Sequence, residues 1–285
     1  MKVTALVTLF YPDLTTVKNI NVLSLQVDRV ILLDNTPSIN NGFLFSELDV
    51  DYIANLENLG LSAAFNKGFN HIKEKPTEFV IYFDQDSLIS DGLINNLIES
   101  YNELSKNHKI GCIGPAYYDE NSKTSVEHKD KKLIENGLFS VKSVITSSLL
   151  TKYEVIEDID GWNASIFLDY ADWDFCWRMK EKGYLLILDS KQTLKHSLGD
   201  SSVNFAKVSF PKYSPVREYY RIRDSLKLFT KSYVPNKYKI KFLFTWFVEP
   251  FIYIYLFPSR FSRIKYVLRA FKDYFLKVNG PSNYK

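Results

Sequence analysis

Two carboxylates stand one residue apart at the end of an apolar run. Residues 79–83 are apolar without a break, and Asp84-Gln85-Asp86 follows them directly. Such a run predicts a strand covered on both faces of a parallel sheet. Two like charges this close disfavour each other's ionisation unless a cation neutralises them. The pair therefore indicates either a metal site or a polar turn in which Asp86 or Ser87 caps the next helix.

A second acidic group lies among aromatic residues further along the chain. The acids are Asp169, Asp172 and Asp174, and the aromatic neighbours are Trp162, Tyr170, Trp173 and Trp177. Aromatic faces that stack on sugars, with carboxylates that accept hydroxyl hydrogen bonds, would suit a carbohydrate site. The alternative is structural: Asp172 would be the N-cap of a helix that ends before Gly183, and Asp174 would favour the positive end of its dipole.

Two further polar groups could contribute to a site. His196 follows a predicted strand over 184–188, and imidazole with two carboxylates suits Mn²⁺ or Mg²⁺, although a lone histidine is more often structural. Asn58, Gly60 and Asn66 surround a predicted helix N-terminus, which could bind an anion. The segment has neither the Walker A nor the dinucleotide-binding glycine pattern, which argues against a P-loop NTPase or a nicotinamide enzyme.

Strands and helices alternate along the first part of the chain. We predict strands over 3–10, 27–33, 50–54, 79–83 and 141–150, helices over 14–25 and 61–72, and a loop over 118–136. This order predicts an α/β fold with an open, mostly parallel sheet. Ligands of such sheets bind beyond the carboxyl ends of the strands, where Asp34, Asp84 and Asp86 fall.

Charge and aromatic residues are divided unevenly along the chain. Residues 201–285 hold 17 Lys and Arg against 4 Asp and Glu, whereas residues 1–200 hold 19 against 29. The same tail carries 22 of the 44 aromatic residues. An acidic body with a basic, aromatic tail indicates a tail that meets an anionic partner.

The tail contains an apolar stretch and an amphipathic pattern. The stretch 242–258 is interrupted by Glu249-Pro250 and is shorter than the roughly 20 residues of a membrane span, so we expect no span there. A helix after it would place Phe261, Leu268 and Phe275 on one stripe with cations elsewhere, as in helices that lie in a membrane interface. The alternative is an ordinary helix packed on the main body.

Cysteine use and the N-terminal residues bear on the compartment. Cys112 and Cys176 make neither a disulfide framework nor a metal pattern, which favours a reducing environment. The first residues show no charged head followed by a long apolar stretch and a cleavage site. We therefore expect a cytoplasmic protein that associates peripherally with the inner face of the plasma membrane.

Four ordered blocks of the sequence resemble the family-2 inverting glycosyltransferases of the GT-A fold. The blocks are TLFYP, ILLDNTP, ENLGLSAAFNKG, and FDQDS followed by FLDYADWDFCWRMKEKGY. HSLGD and SPVREYYRIRDSLKL are similar, more narrowly, to bacterial rhamnosyltransferases of polysaccharide assembly. The resemblance covers residues 1–230 as the catalytic domain and leaves 231–285 as a C-terminal basic, aromatic helical extension that could associate with a membrane.

The resemblance implies a role for each matching residue. Asp34 would contact the nucleoside beside the backbone of Thr8 and Phe10, and Asn58 and Asn66 would line the donor pocket. Asp84, Asp86 and His196 would hold Mn²⁺ or Mg²⁺, with Asp84 also on the ribose, and Asp172 would be the general base. On the acceptor side, we expect Trp162 and Asp169 to contact the sugar, and Arg217, Arg221 and Arg223 could meet the phosphates of a lipid-linked acceptor. Two residues depart from the family pattern: Gln85 stands where an acid is common, and Asp224 where an Asn is expected.

The activity that the resemblance implies is transfer of a sugar from a dTDP- or UDP-linked donor. L-rhamnose from dTDP-rhamnose is the first choice, with UDP-galactofuranose or a UDP-hexose as alternatives, and the acceptor would be a lipid-linked saccharide or a growing cell-surface polysaccharide. A nucleotidyltransferase would need a glycine-rich basic loop after the first strand, which is missing there. A non-catalytic protein that binds an anionic polymer is a remoter alternative, and we expect no nucleic-acid partner.

Overall fold

A ten-stranded sheet organises the protein in a computed structural model that describes residues 1–119, 124–125, 130–196, 202–205 and 208–282. The strands are β1 Val3–Leu9, β2 Arg29–Asp34, β3 Asp51–Ala54, β4 Phe79–Asp84, β5 Ile110–Asp119, β6 Thr124–Ser125, β7 Lys132–Glu135, β8 Leu138–Ser140, β9 Leu149–Lys152 and β10 Leu185–His196. A separate hairpin pairs β11 Ser202–Phe205 with β12 Val208–Pro211.

Nine α-helices are found among the described residues. They are α1 Leu14–Ser24, α2 Leu61–Ile72, α3 Leu93–Ser105, α4 Tyr153–Asp158, α5 Ala171–Glu181, α6 Pro215–Phe229, α7 Asn236–Phe247, α8 Glu249–Leu256 and α9 Arg260–Phe275. A short 3₁₀ turn, Gly42–Phe45, precedes β3. Helices cover both faces of the sheet, and each face has its own buried apolar cluster.

The strand order is β3-β2-β1-β4-β9-β5-β10-β8-β7, with β6 on β5. All of these strands except β6, β8 and β9 run in one direction, because only those three pair antiparallel with strands of that direction. The predicted α/β class with an open, mostly parallel sheet is confirmed. In this register Thr8 on β1 lies opposite Asp84 on β4, and Leu9 lies opposite Asp34 on β2.

The apolar pattern of α2 explains how it packs on the sheet. Ala64, Phe65, Phe69 and Ile72 are buried, as the helical spacing predicts. Gly68 lies on the same stripe, and a Cβ there would meet the side chains of the underlying strands at 2.9 Å. The helix therefore lies close to the sheet at this residue, and a larger side chain there would require the leucine side chains of β1 and β2 to shift.

Three predictions about local structure are wrong. No strand spans 141–150, because the backbone turns at Ser148 (φ 67°) and only Leu149–Lys152 forms β9. The polar segment 118–136 is not all loop, since β5 reaches Asp119 and β7 lies within it. Asp172 is not an N-cap, because α5 begins at Ala171 and Tyr170 caps it without a side-chain hydrogen bond.

The C-terminal helices share the core of the main body. Phe242 of α7 is fully buried and meets Tyr170 edge to face, with ring centroids 5.3 Å apart. Trp246 donates through Nε1 to Ser225 Oγ of α6 at 2.8 Å, and Ala270 of α9 is also in the same cluster. A domain boundary at residue 230 stays a prediction, and packing is continuous across it.

We predicted that the tail would contain no membrane-spanning segment. Within the described ranges, none of the helices is both long and apolar enough to pass through a bilayer. The stretch 242–258 is divided between α7 and α8, and the two helices meet at Val248.

Phe242→Ala tests whether α7 is part of the core. We expect it to lower the free energy of unfolding by about 3–5 kcal/mol, since it removes a buried aromatic ring. Phe244→Ala is the matched control on the same helix, because Phe244 is 42% exposed, and we expect a change within about 0.5 kcal/mol. Denaturant unfolding measures both. Equal midpoints for the two variants would contradict the packing of α7 described here.

Candidate functional site

Two adjoining clefts open at the carboxyl ends of β1 and β4. One, of about 300 Å³, is lined by Thr8, Phe10, Asn35, Asn58 and Gly60 among others, and we name it the Asn58 cleft. The other, of about 400 Å³, is lined by Asp169, Asp172, Trp173, Arg217 and Arg221 among others, and we name it the Asp172 cleft. Leu61, Asp84 and Leu168 line both. The two clefts therefore form one continuous site of the size of small-molecule pockets.

Gln85 holds the end of β1 against the end of β4. Phe10 N donates to Gln85 Oε1 at 2.8 Å, and Gln85 Nε2 donates to Phe10 O at 3.2 Å. Asn19 Nδ2 also donates to Gln85 O at 3.3 Å. A carboxylate at position 85 could accept from Phe10 N but could not donate to Phe10 O. The amide thus has a structural reason to stand where the family often has an acid.

The backbone of Phe167 joins the two sides of the site. Its carbonyl accepts from Leu61 N at 2.7 Å, and its N–H donates to Asp224 Oδ2 at 2.7 Å. Gly60 (φ 80°) lies against it so closely that a Cβ would be 2.5 Å from the Phe167 carbonyl oxygen. The start of α2, the segment before α5 and helix α6 are therefore fixed to one another at a single residue.

Asp224 stands where the family pattern has an Asn, and its buried position explains this difference. Its Oδ1 accepts from Arg223 Nε at 2.9 Å, and Lys227 Nζ lies 3.8 Å away. Burial raises the pKa of Asp224, while the two cations act in the opposite direction. An acid rather than an amide at this position offsets the positive charge of Arg223 and Lys227 inside the protein.

Asp172 lies at the second position of α5, half-buried in its cleft. Its Oδ1 accepts from Trp173 N at 2.8 Å. The pKa of Asp172 is raised to about 7, chiefly by burial and also by the negative charges of Asp84 and Asp169, against the hydrogen bond from Trp173. A carboxylate with a pKa near neutrality is a stronger base than an ordinary aspartate, which suits proton abstraction from a hydroxyl.

Two arginines on α6 enter the Asp172 cleft, each with a carboxylate partner. Arg217 donates to both oxygens of Asp169. Its Nη2 donates to Oδ1 at 2.8 Å, and its Nε donates to Oδ1 at 3.0 Å and to Oδ2 at 3.2 Å. Arg221 Nη2 donates to Glu249 Oε1, at the start of α8, at 3.2 Å. The structure thus places Asp169 and Arg217 in the same cleft as Asp172, and their role in binding an acceptor stays a prediction.

The acidic pair at the end of β4 is divided between two environments. Asp84 is half-buried and lines both clefts, and Asp86 is exposed in the following turn. Neither Asp86 nor Ser87 caps the next helix, since α3 begins at Leu93. Across the described residues, no salt bridge of Asp86 is found, and no group of three or more acids, histidines or cysteines could hold a metal.

Two carboxylates are nevertheless a suitable set of protein ligands for a hard cation. Mg²⁺ sites commonly use one or two carboxylates, with substrate phosphates and water completing the shell. Asp84 and Asp86 fit that requirement by type and spacing. The predicted third ligand, His196, ends β10, but its side chain lies outside the described residues, as does the turn that follows it.

Three residues that were predicted to bind donor or acceptor lie outside the Asn58 cleft and the Asp172 cleft. Asn66 bonds the backbone of Trp162 on both sides, with Nδ2 to the carbonyl at 2.7 Å and Trp162 N to Oδ1 at 2.8 Å, and both residues line a separate cleft of about 790 Å³. Trp162 is buried and stacks on Phe175, with centroids 4.0 Å apart. Arg223 is fully buried and donates to Gly280 O at 2.8 Å. None of the three side chains lines the Asn58 cleft or the Asp172 cleft, since Trp162 and Arg223 are buried in the core and Asn66 is held by the backbone of Trp162. A donor-pocket Asn66 and an acceptor-binding Trp162 and Arg223 stay predictions that these contacts do not favour.

Asp34 is buried rather than presented to the Asn58 cleft. Its Oδ1 accepts from Thr36 N at 2.8 Å, and its Oδ2 accepts from Tyr52 Oη at 2.6 Å and from Asn41 Nδ2 at 2.9 Å. The next residue, Asn35, lines the cleft and donates to Gly60 O at 3.2 Å. In this structure Asp34 orders the loop after β2, and Asn35 faces the cleft.

Several cleft residues were missed by the sequence analysis. They are Asn35, Leu61, Ile145, Thr146, Ser147, Leu168 and Lys241. Asn35 had a signal, because it follows the same strand end as Asp34. Ile145 to Ser147 lie in the segment predicted as strand, and Lys241 lies on a helix of the extension, so neither position had a local signal for the site.

The pKa of Asp172 tests whether Asp84 lies close to it in the site. In metal-free protein we expect its carboxyl to titrate near pH 7, and Asp84→Asn to lower that pKa, since it removes a nearby negative charge. Carbon-13 NMR of labelled aspartate measures both. Asp91→Asn, an exposed acid outside the clefts, is the control and should leave the pKa unchanged. An Asp172 that titrates near pH 4 in every variant would contradict the site described here.

Comparisons with known proteins identify the family of the chain. Residues 15–159, about half of the chain, match the family model described as Glycosyl transferase family 2. The chain is 27% identical over 248 residues to the dTDP-rhamnosyl transferase RfbF of Shigella flexneri, covering 81% of each protein.

Solved structures share the fold across almost the whole chain. TarS of S. aureus (residues 1–349) in complex with UDP-GlcNAc superposes with a TM-score of 0.59 at 12% identity, covering 98% of this chain and 82% of that one. GalNAc-T7 with UDP, GalNAc and Mn²⁺ gives 0.58 at 12% identity, covering 98% of this chain and 56% of that one. At this identity the two structures show the fold alone. The chain belongs to glycosyl transferase family 2 and is a glycosyltransferase with the GT-A fold.

Proposed function

We propose that this protein transfers a sugar, with inversion, from a nucleotide diphosphate donor to a hydroxyl of a lipid-linked or growing cell-surface polysaccharide. The observation that carries the proposal is the meeting of Asp84 and Asp172 at one cleft, where burial and neighbouring charge raise the pKa of Asp172 to about 7. One carboxylate is then placed at the end of β4 for the donor, and another is suited to accept the proton of an attacking hydroxyl.

The nucleotide of the donor would occupy the Asn58 cleft. Phe10 is 46% exposed beside Thr8 and Asn35, so the cleft offers an aromatic face and polar groups to a base and a ribose. Asp84 and Asp86 would hold Mn²⁺ or Mg²⁺, which when bound offsets the negative charge that gathers on the leaving diphosphate. GalNAc-T7, which shares the fold, is solved with Mn²⁺.

The acceptor would enter the Asp172 cleft. Trp173, which is half-buried, lines it beside Asp172 and would pack against a sugar. Asp172 would accept the hydroxyl proton as the acceptor oxygen bonds to the anomeric carbon and the bond to the diphosphate breaks. A base and a leaving group on opposite faces of the sugar give inversion at that carbon.

The donor sugar is proposed to be L-rhamnose from dTDP-rhamnose. The support is the relative in Shigella flexneri, which is named a dTDP-rhamnosyl transferase and matches over 81% of its length. UDP-galactofuranose or a UDP-hexose is the alternative, and TarS, solved with UDP-GlcNAc, shows that the fold accommodates such donors. The remoter alternative of a non-catalytic polymer-binding protein has no support in these comparisons.

Asp172→Asn tests the proposed base. With dTDP-rhamnose, Mn²⁺ and a saccharide acceptor, we expect kcat to fall by about 10²–10⁴-fold, the usual contribution of a general base. Wild-type kcat/KM should rise with pH, reach half its maximum near pH 7 and level off above that pH, because the base works only when it is deprotonated. Product formation measured by chromatography reports both. Asp91→Asn is the control, and an Asp172→Asn variant that keeps more than about a tenth of wild-type kcat would reject the assignment.

We further propose that the protein works at the inner face of the plasma membrane. Large apolar side chains of the C-terminal helices are exposed: Phe247, Phe251, Tyr255, Phe261, Leu268 and Phe275. Exposed cations lie among them: Arg260, Lys265, Lys272 and Lys277. The two acids of residues 236–282 point inward, since Glu249 pairs with Arg221 and Asp273 accepts from Tyr219 Oη at 2.7 Å. A surface of apolar and cationic groups without exposed acids suits anionic lipid headgroups.

Co-sedimentation with vesicles tests the membrane proposal. We expect the wild type to bind vesicles of phosphatidylcholine with phosphatidylglycerol, and the double variant Phe251→Ser, Leu268→Ser to bind at least about tenfold more weakly, because it loses apolar contact with the acyl region. The double variant Leu25→Ser, Leu133→Ser removes two exposed side chains of the main body and should bind like the wild type. Equal binding by both double variants would dismiss this surface.

A further inference from the structure

Lys241 is a cation of the Asp172 cleft without an acidic partner. It lies on α7 and lines the cleft that also contains Asp172. Its Nζ lies 4.9 Å from the centroid of the Trp173 ring. In the part of the chain that the structure describes, the Lys241 ammonium has neither a hydrogen bond nor an ion pair. Desolvation, and then the charge of Arg221, lower the pKa of Lys241, and the charge of Glu249 offsets only part of this lowering.

The other cations of this cleft are already matched. Arg217 forms a two-point pair with Asp169, and Arg221 pairs with Glu249. Lys241 is therefore the cation of this cleft that remains available to bind an anion from outside. Lys241 does not line the Asn58 cleft, so that anion would arrive with the ligand of the Asp172 cleft.

The helix that carries Lys241 also carries an exposed apolar face. Ile240, Leu243, Phe244 and Phe247 are 69%, 40%, 42% and 62% exposed. Their spacing of i, i+3, i+4 and i+7 places them on one stripe of the helix. Lys241, one residue after Ile240, is rotated away from this stripe and reaches the cleft. A single helix thus presents a cation to the site and apolar side chains to the outside.

We propose that Lys241 binds the diphosphate of a lipid-linked acceptor whose lipid lies along the outer face of α7. The proposal rests on the proposed function and names the acceptor class of the same site. A diphosphate between a saccharide and a lipid would place the saccharide toward Asp172, the anion on Lys241 and the chain on the apolar stripe. A free saccharide would use neither the cation nor the stripe.

Binding of geranylgeranyl diphosphate in detergent micelles tests the proposal, with EDTA present to exclude metal-mediated binding. Titration calorimetry gives the affinity. We expect Lys241→Met to weaken binding about tenfold or more, because a charge-assisted hydrogen bond is lost. Lys241→Arg should retain most of the affinity. Lys239→Met is the matched control, since it makes the same change on the same helix but lies outside the cleft, and it should stay within about twofold of the wild type.

Two further ligands separate the sources of affinity. Geranylgeraniol lacks the anion and inorganic pyrophosphate lacks the lipid, and we expect both to bind more weakly than the combined ligand. Pyrophosphate that binds as tightly as geranylgeranyl diphosphate would overturn the lipid assignment. Equal affinity of Lys241→Met and the wild type, or equal weakening by Lys239→Met, would overturn the role of Lys241. These results are independent of donor turnover, whose absence would instead reject the proposed function.

Discussion

The site depends on the backbone of one residue, Phe167. Its carbonyl and N–H bind Leu61 at the start of α2 and Asp224 on α6, so three parts of the chain that are far apart in sequence meet there. Leu168, the next residue, lines both clefts. Because the backbone bonds are buried, a shift of this segment would leave polar groups unsatisfied, which is costly. The relative positions of the two clefts are therefore set by the fold and not by surface loops alone.

The sequence predicted the half of the fold in which local pattern and burial agree. The strands β1, β2 and β4 are buried on both faces and read as apolar runs, so their ends were placed within about two residues, and the stripe of α2 was placed correctly. The segment 141–150 misled, because its apolar residues are buried without forming a strand until Leu149. Periodicity does not distinguish a buried irregular segment from a buried strand.

Site residues were predictable where a strand end exposes them and not where tertiary contacts decide. Asp84 follows directly from its place after β4. Arg223 did not, because its burial depends on Asp224 and on the carbonyl of Gly280, far along the chain. Asn66 and Trp162 bind each other across the core, which their spacing in sequence does not reveal. Lys241 required knowledge of how α7 packs beside α5.

The walls of the two clefts come from different stretches of the chain. The Asn58 cleft is built mainly from residues 8–85, and the Asp172 cleft mainly from residues 145–241, with Leu61, Asp84 and Leu168 in common. Substitutions in the later stretch can accumulate without altering the earlier one, provided that the shared residues and the Phe167 contacts persist. Under the proposed function, such a division would let descendants of one ancestral chain keep a nucleotide sugar while they diversify the polymer that receives it.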